Sequence, residues 1–304
     1  MRIHVLGSAA GGGFPQWNCN CRNCEGVRRG TLNAIPRTQS SIAISADDTS
    51  WLLCNASPDI LAQLRAAPFL QPARTLRDTA IRAVLLIDAQ IDHVTGLFML
   101  REHRQPHDIW CTDPVREDLE AGNPVFRLLG HYCGVLPHRI PLGGDVFVIP
   151  AVPGLAFAAH ALTSNAPPYS PRRDRPVPGD NIGLEITDLS SGRQLFYAPG
   201  LSQIDEKVAS AMQRADCVLV DGTCWRDDEL VRLGLAGKTS REMGHLPIDG
   251  PDGSLAQLRS LDVRRTIFIH MNNTNPILLD DTPERRVLED SGMEVAMDGL
   301  EVEV

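Results

Sequence analysis

Short apolar runs, separated by polar or glycine-rich segments, recur along the whole chain. Their length and their content of β-branched residues predict β-strands. The predicted strands cover residues 3–6, 41–45, 51–54, 83–87, 109–111, 146–149, 155–158, 183–186, 194–197, 217–220, 266–269, 294–296 and 300–304. The last two flank a turn at Asp298-Gly299.

Helical spacing of apolar residues is confined to a few segments. It predicts helices at 58–66, 96–104, 114–121, 203–215, 253–261 and 282–291. The last helix has a clear start, because Thr282 provides an N-cap and Pro283 lies just inside it. Strands precede the first long helices, and strands alternate with helices in the second half. We therefore predict an α/β fold with two β-sheets and helices outside them.

Composition and charge exclude several classes of protein. The chain has 304 residues, 43% of them hydrophobic and 22% charged, which is typical of a globular protein. Its net charge of −9 disfavours nucleic-acid binding, so we expect a small-molecule substrate. No apolar run is long enough for a membrane span or a signal peptide. Eight cysteines are too few for a disulfide scaffold, and we predict a reducing, cytoplasmic location.

Three cysteines lie within six residues, at Cys19, Cys21 and Cys24. Three thiolates at this spacing fit one tetrahedral Zn²⁺, with a fourth ligand from elsewhere in the fold. Such a closed site would be structural, and it predicts a zinc-binding loop at 19–24. Three unrelated buried thiols or a redox dithiol are the alternatives, although the context of a thioredoxin-like motif is missing. We interpret the other five cysteines as core residues.

A second cluster follows the predicted strand at 83–87. Asp88, Asp92 and His93 come directly after it, and Gly96 then opens a predicted helix. Proteins of the α/β class place metal and catalytic groups at such strand ends. Adjacent Asp92 and His93 reach one ion only if the backbone turns sharply. The alternative is an ordinary helix N-terminus, where aspartate is favoured.

His270 ends another predicted strand and is followed by three asparagines before Pro276. This pattern favours a ligand or substrate role about as much as a structural one. His245 and His160 carry weaker patterns. The segment 165–180 holds five prolines, which is typical of an active-site loop or of a plain surface loop. The glycines at 7–13 match no nucleotide-binding motif.

Nine segments together resemble the coenzyme PQQ (pyrroloquinoline quinone) synthesis protein B family of the metallo-β-lactamase superfamily. They are GSAAGGGFPQWNCNC at 7–21, RTQSSIA at 37–43, CNASPDI at 54–60, DAQIDH at 88–93, APPYSPR at 166–172, YAPG at 197–200, DGT at 221–223, REMGHL at 241–246 and IHMNNTNPIL at 269–278. The resemblance implies an αββα sandwich of two mixed sheets flanked by helices, as one domain spanning 1–304.

The resemblance also implies which residues bind metal. The superfamily motif is H-x-H-x-D-H, and this chain has Asp88, Gln90, Asp92 and His93 at those positions. Because both leading histidines are absent, the first of the superfamily's two metal sites should be lost. Asp92 and His93 remain, and His270 matches the last ligand histidine. Two imidazoles and one carboxylate with open positions suit non-haem Fe²⁺, so these three are the predicted catalytic residues.

For the cysteine loop, the resemblance to related phosphodiesterases points to Asn273 as the fourth zinc ligand. For the substrate, the motifs nominate four residues, chosen without geometry. These are Tyr169, Arg172, Asp221 and Asn272.

The activity implied is a step in PQQ biosynthesis. Family members are described as iron-dependent hydroxylases of the tyrosine ring of a Glu-Tyr cross-linked precursor, and also as carriers of the cofactor. The metal argument favours an oxidoreductase that uses Fe²⁺ and O₂. Transport of PQQ or its precursor, and metal-dependent hydrolysis at a dinuclear site, are the alternatives. Other proteins of the pathway are candidate partners, and a homodimer is left open.

Overall fold

The computed structural model describes all 304 residues and contains fourteen strands in two seven-stranded mixed sheets. The first sheet has the order β14-β1-β2-β3-β4-β5-β6 and the second β13-β12-β11-β10-β9-β8-β7. The strands are β1 (Arg2–Gly7), β2 (Ser41–Ser45), β3 (Trp51–Cys54), β4 (Ile81–Leu85), β5 (His107–Cys111), β6 (Val135–Arg139), β7 (Val146–Val148), β8 (Leu155–Ala161), β9 (Ile182–Asp188), β10 (Gln194–Ala198), β11 (Cys217–Asp221), β12 (Thr266–Ile269), β13 (Met293–Val295) and β14 (Glu301–Glu303).

The two sheets have matching patterns of strand direction. In the first, β14, β1, β2 and β3 pair antiparallel, and β3 to β6 pair parallel. In the second, β7 to β10 pair antiparallel and β10 to β13 pair parallel. Alternate residues such as Ile3 and Val5 of β1, and Leu155 and Phe157 of β8, meet in the core between the sheets.

Helices cover the outer face of each sheet. The α-helices are α1 (Arg22–Arg29), α2 (Ile60–Ala66), α3 (Ile91–Val94), α4 (Asp113–Glu117), α5 (Val125–Leu129), α6 (Glu206–Arg214), α7 (Glu229–Arg232), α8 (Ser240–Met243), α9 (Ser254–Leu261) and α10 (Pro283–Asp290). Two further apolar clusters lie between these helices and the sheets. The αββα sandwich predicted by the resemblance is thereby confirmed. No helix combines the length and the apolar character that crossing a bilayer requires.

Most predicted strands are present, and the differences have local causes. β6 was not predicted because Pro137 lies in its centre, which is tolerated here since β6 is an edge strand. The helix predicted at 96–104 is wrong: α3 ends at Val94 and a 3₁₀ segment, Thr95–Leu100, follows it. The sequence pattern also did not predict the short helices α1, α3, α5, α7 and α8. The prediction of one domain over 1–304 stays a prediction, supported by the core that both sheets share.

Strand direction determines where chemically active side chains meet. The carboxyl end of β4 in one sheet and those of β11 and β12 in the other lie at the same edge of the sandwich. The loop after β1 joins them, because Ala9 forms bridges to both Gln39 and Met271. Ligand sites of α/β proteins form at such carboxyl ends.

Candidate metal centres

The cysteine cluster lies at the start of α1. The sulfurs of Cys19, Cys21 and Cys24 are within 4.8 Å of one another. The Asn273 side-chain amide lies over them, with its Nδ2 atom 3.1 Å from Cys19 Sγ, 3.3 Å from Cys24 Sγ and 3.6 Å from Cys21 Sγ. Amide orientation is assigned from hydrogen bonding, and the opposite orientation turns the amide oxygen to the sulfurs. These four groups therefore offer the donors of one tetrahedral ion.

The thiols of this cluster have opposite pKa shifts. Burial raises the pKa of the Cys24 thiol to about 11, although the backbone N–H of Gln16 and the Asn273 amide oppose the rise. Burial also disfavours the thiolate of Cys19, but hydrogen bonds from Cys21, Cys24 and Asn273 outweigh it and lower the pKa of that thiol. Binding of a metal ion would replace the thiol proton.

A second group consists of Asp92, His93 and His270, whose ligand atoms also lie within 4.8 Å of one another. Asp92 Oδ2 is 3.2 Å from His270 Nε2 and 3.9 Å from His93 Nε2. Both imidazoles thus direct Nε2 at the same carboxylate oxygen. His93 Nε2 is buried and has no hydrogen-bond partner, which is costly unless a ligand occupies the space in front of it. The arrangement fits a bound cation.

His93 is held by groups outside this triad. Its Nδ1 lies 2.8 and 3.0 Å from the two oxygens of Asp88, so the neutral imidazole keeps its proton on Nδ1 and presents the lone pair of Nε2. The sharp turn required of residues 92 and 93 is supplied by the short helix α3. This turn depends on Gly96, since a Cβ there would lie 2.1 Å from the Ser57 carbonyl oxygen.

His270 directly follows β12 in a left-handed backbone conformation, with φ of 63°. A non-glycine residue at such φ is strained and frequently marks a functional site. The Thr223 hydroxyl lies 3.0 Å from His270 Nδ1 and donates to Asp221 Oδ1 at 2.6 Å. Because that hydroxyl accepts from Nδ1–H, it leaves Nε2 of His270 free to bind a ligand.

The protonation of His93 and Asp92 depends on the charges packed around them. Burial disfavours the charged imidazole of His93, but the carboxylates of Asp88 and Asp92 outweigh it and raise the pKa of His93 to about 9. Burial likewise opposes ionisation of Asp92, yet His93 and His270 hold the pKa of that carboxyl far below its usual range. An ion here would have to displace the His93 proton.

His245 adds a third imidazole at this edge. Its Nδ1 is 2.6 Å from Asp221 Oδ2, and its ring stacks on that of His270 with centroids 5.5 Å apart. Burial disfavours the charged form, but Asp221 raises the pKa of His245. The sequence pattern at 241–246 gave only a weak indication of this placement. Asp221, predicted to bind substrate, is 1% exposed and supports His245 and Thr223 from below.

A cavity of about 250 Å³ opens above the triad. The predicted residues that line it are Asp92, His93, His270 and Asn272, and Asp88, Gln90, Thr223 and His245 line it as well. Pro168 and Arg173 also line it, so the proline-rich segment 165–180 contributes to its wall. Two larger cavities, of about 360 and 430 Å³, contain none of the metal-ligand groups.

The structure does not bring Tyr169 and Arg172 to this cavity. Arg172 forms ion pairs with Glu117, Asp118 and Asp180 at 3.0, 3.0 and 2.9 Å. The Tyr169 hydroxyl donates to the Ala89 carbonyl. These two side chains position the loop, which corrects the expectation that they face a substrate. A motif gives the position of a residue in the chain and not the direction of its side chain.

The two positions that replace superfamily histidines are engaged elsewhere. Asp88 binds His93, as described, and Gln90 donates its side-chain amide to the Asn165 carbonyl at 3.3 Å. Neither is free to serve as the ligand of a second ion. A second possible ligand set lies at this edge, because Asp221, His245 and His270 also bring their ligand atoms within 4.8 Å of one another. Both sets need His270, whose Nδ1 is held by Thr223, so they compete for its Nε2.

Comparison with known proteins gives consistent matches. The beta-lactamase superfamily domain model matches residues 50–271. The coenzyme PQQ synthesis protein B of Azoarcus sp. (strain BH72) is 66% identical over 99% of both chains. That of Stutzerimonas stutzeri is 60% identical, again over 99% of both chains.

Solved structures agree with these matches. Zn²⁺-bound PqqB from Methylobacterium extorquens is 37% identical, with a TM-score of 0.91 and complete coverage of both chains. A diphosphatase of the PhnP family has a TM-score of 0.69 at 16% identity, covering 100% of this chain and 97% of that one. At that identity the likeness is one of fold alone.

Proposed function

Because the chain belongs to the coenzyme PQQ synthesis protein B family of the metallo-β-lactamase superfamily, we propose that it acts in PQQ biosynthesis as an iron-dependent hydroxylase. Its substrate would be the tyrosine-derived ring of the Glu-Tyr cross-linked PQQ precursor. O₂ would be the co-substrate, and an external reductant would provide two electrons. One oxygen atom then enters a ring C–H bond, and the other leaves as water.

One observation carries the proposal: Asp92, His93 and His270 converge as the ligands of one ion, and the other possible set shares His270 with them. Asp92, His93 and His270 form a set of two imidazoles and one carboxylate, which is typical of non-haem Fe²⁺ oxygenases. Hydrolases of this fold use two ions to generate hydroxide. The residues that would hold the other ion, Asp88 and Gln90, make hydrogen bonds elsewhere. A mononuclear site favours oxygen chemistry over hydrolysis.

The chain's own residues have distinct tasks in this scheme. Asp92, His93 and His270 would hold the iron, which would supply activation of O₂ at its open positions. Asp88 and Thr223 fix the imidazoles in the tautomer that binds metal through Nε2. The walls of the cavity would reduce the access of bulk water to the reacting ring, which would limit side reactions. Asn272 lines that cavity and is our remaining candidate for substrate contact.

The cysteine cluster has a separate role in the proposal. Cys19, Cys21 and Cys24, with Asn273, would hold one zinc ion that stabilises the loop and takes no part in turnover. The support is that all four groups converge and leave no open position.

Compartment and partners follow from the same scheme. All eight cysteines are free thiols, which supports the cytoplasm as the compartment. Partners would be the precursor, O₂ and other proteins of the pathway, and a homodimer is the assembly we would test first.

The decisive experiment is anaerobic loading of the full chain with Fe²⁺, followed by O₂ and ascorbate in the presence of the tyrosine-type precursor. Mass spectrometry should show addition of oxygen, and ¹⁸O₂ should label the product. Metal analysis should give one ion at the open site. Tight binding of PQQ without oxygen incorporation would instead support a carrier. Two ions at the open site with cleavage of a phosphodiester would support a hydrolase.

A further inference from the structure

Two adjacent arginines in the proline-rich segment have opposite surroundings. Arg172 is surrounded by three carboxylates, as described above. Arg173 has no carboxylate within ion-pair distance. The only hydrogen bond of its side chain runs from one guanidinium nitrogen to the Ala166 carbonyl. Most of the donors on Arg173 are therefore unused by the protein.

Arg173 also lines the cavity above the triad, and no other lysine or arginine does. The carboxylates in that cavity are already engaged, Asp88 by His93 and Asp92 by His270. Arg173 is thus not there to neutralise them. In a chain of net charge −9, an unpaired guanidinium at a ligand cavity indicates that the ligand is an anion.

We propose that Arg173 binds a carboxylate of the substrate and so fixes which end of it faces Asp92, His93 and His270. The guanidinium fork matches a carboxylate through two parallel hydrogen bonds, which ammonium groups do not reproduce. The ligand class is an aromatic amino acid or peptide with a free carboxylate. This proposal rests on the proposed function for the identity of the ring, but the carboxylate contact follows from the cavity alone.

Binding of two probes that differ only in the carboxylate tests the idea without turnover. L-Tyrosine and tyramine would be titrated into the full chain with redox-inert Zn²⁺ at the open site. The wild type should prefer tyrosine by roughly tenfold or more, the range of a charge-assisted hydrogen bond. Arg173→Gln should remove that preference, and Arg173→Lys should retain part of it. Arg175→Gln, an equal charge change at an exposed neighbour, should leave the preference intact.

Two results would overturn the proposal: a wild type that does not prefer tyrosine, or an Arg173→Gln variant that keeps the wild-type preference. If Arg173→Gln does not fold, an undiminished preference in Arg173→Lys overturns it equally. Failure of the proposed hydroxylation would look different from failure of this proposal. Oxygen would then not be incorporated, but the preference for tyrosine would remain and would still depend on Arg173.

Discussion

The two candidate metal clusters share one loop and differ in almost every other respect. Residues 270–275 supply His270 to the Asp92–His93 cluster and Asn273 to the cysteine cluster. In the cysteine cluster, three sulfurs and the Asn273 amide converge as four donors. The Asp–His cluster opens into a cavity of about 250 Å³. A closed set of ligands stabilises a fold, whereas an open set leaves room for substrate.

The supporting groups differ as well. Around the open cluster, Asp88 and Thr223 hold the outer nitrogen of each imidazole, so the ligands are fixed before any ion arrives. Around the cysteines, the backbone N–H groups of Gln16 and Cys21 donate to the sulfurs of Cys24 and Cys19. One loop can thus separate stability from chemistry, so loss of a ligand of one cluster should spare the other cluster.

The largest effect is expected at the open cluster from His270→Ala. Loss of one of three ligands should weaken iron binding by more than ~100-fold, since changes to supporting groups alone cost about 10–100-fold. Iron-dependent oxygenation should fall to background while the cysteine-bound zinc stays. Metal analysis and oxygen incorporation measure both. His160→Ala is the control, because His160 pairs with Glu185 outside both clusters.

The opposite outcome would assign His270 to the other cluster. If His270→Ala releases zinc and leaves iron bound, His270 completes the closed cluster. The iron ligands would then have to be sought among Asp88, His160 and His245.

The complementary variant is Cys24→Ser. Cys24 is fully buried, and its loss should release zinc and lower the free energy of unfolding by about 4 kcal/mol, as losses of a metal site do. Zinc content and denaturant unfolding should fall together. Cys133→Ser, at an isolated and partly exposed thiol, should change neither. Full stability with no zinc lost would show that the cysteines are simply core residues.

The two clusters also differ in how far the sequence could predict them. Three cysteines within six residues must lie close together in almost any fold, so their spacing alone indicated a site. Asp92 and His270 are 178 residues apart, and only the resemblance to a family of known fold joined them. Asn273 was found in the same way, by its position after His270.

Side-chain direction was beyond sequence reasoning. The motif at 166–172 ends at Arg172, whose partners Glu117 and Asp118 come from a distant segment. Arg173, one residue later, faces the cavity instead. Thr223 lies in the motif at 221–223, but the sequence predicts no role for it. Its contact with His270 depends on the parallel pairing of β11 and β12. The fold was predictable because it depends on the pattern of many residues.

A smaller effect, of about 3 kcal/mol at most, is expected from pH when the open cluster holds no ion. The folded pKa of His93 is about 9, above the 6.5 of a free histidine. Its contribution to stability is therefore fully present below about pH 6.5 and is lost as pH rises through about 9. Denaturant unfolding of protein that retains only zinc, between pH 6 and 9, should show this decline.

Asp88→Asn sharpens the pH test, since it removes the carboxylate that raises the pKa of His93. In this variant, the free energy of unfolding should decline less between pH 6 and 9. Iron binding by the wild type should strengthen over the same range, because His93 must lose its proton to bind metal. A stability curve that is identical in wild type and Asp88→Asn would contradict the assigned ion pair.

The smallest effect, and the only one expected on both sides of the comparison, is that of Asn23→Ala. The buried Asn23 amide on α1 donates to the carbonyls of Asn273, Thr274 and Asn275 at 3.2, 3.0 and 3.1 Å. Asn23 therefore connects helix α1 to the shared loop at 270–275. Its removal leaves carbonyls without a donor and should lower the free energy of unfolding by about 2 kcal/mol. Because the loop carries both His270 and Asn273, zinc and iron should each bind more weakly, by less than in the ligand variants. Asn20→Ala, at an exposed position of the cysteine loop 19–24, is the matched control. If Asn23→Ala weakens zinc alone, the two clusters are independent despite the loop they share.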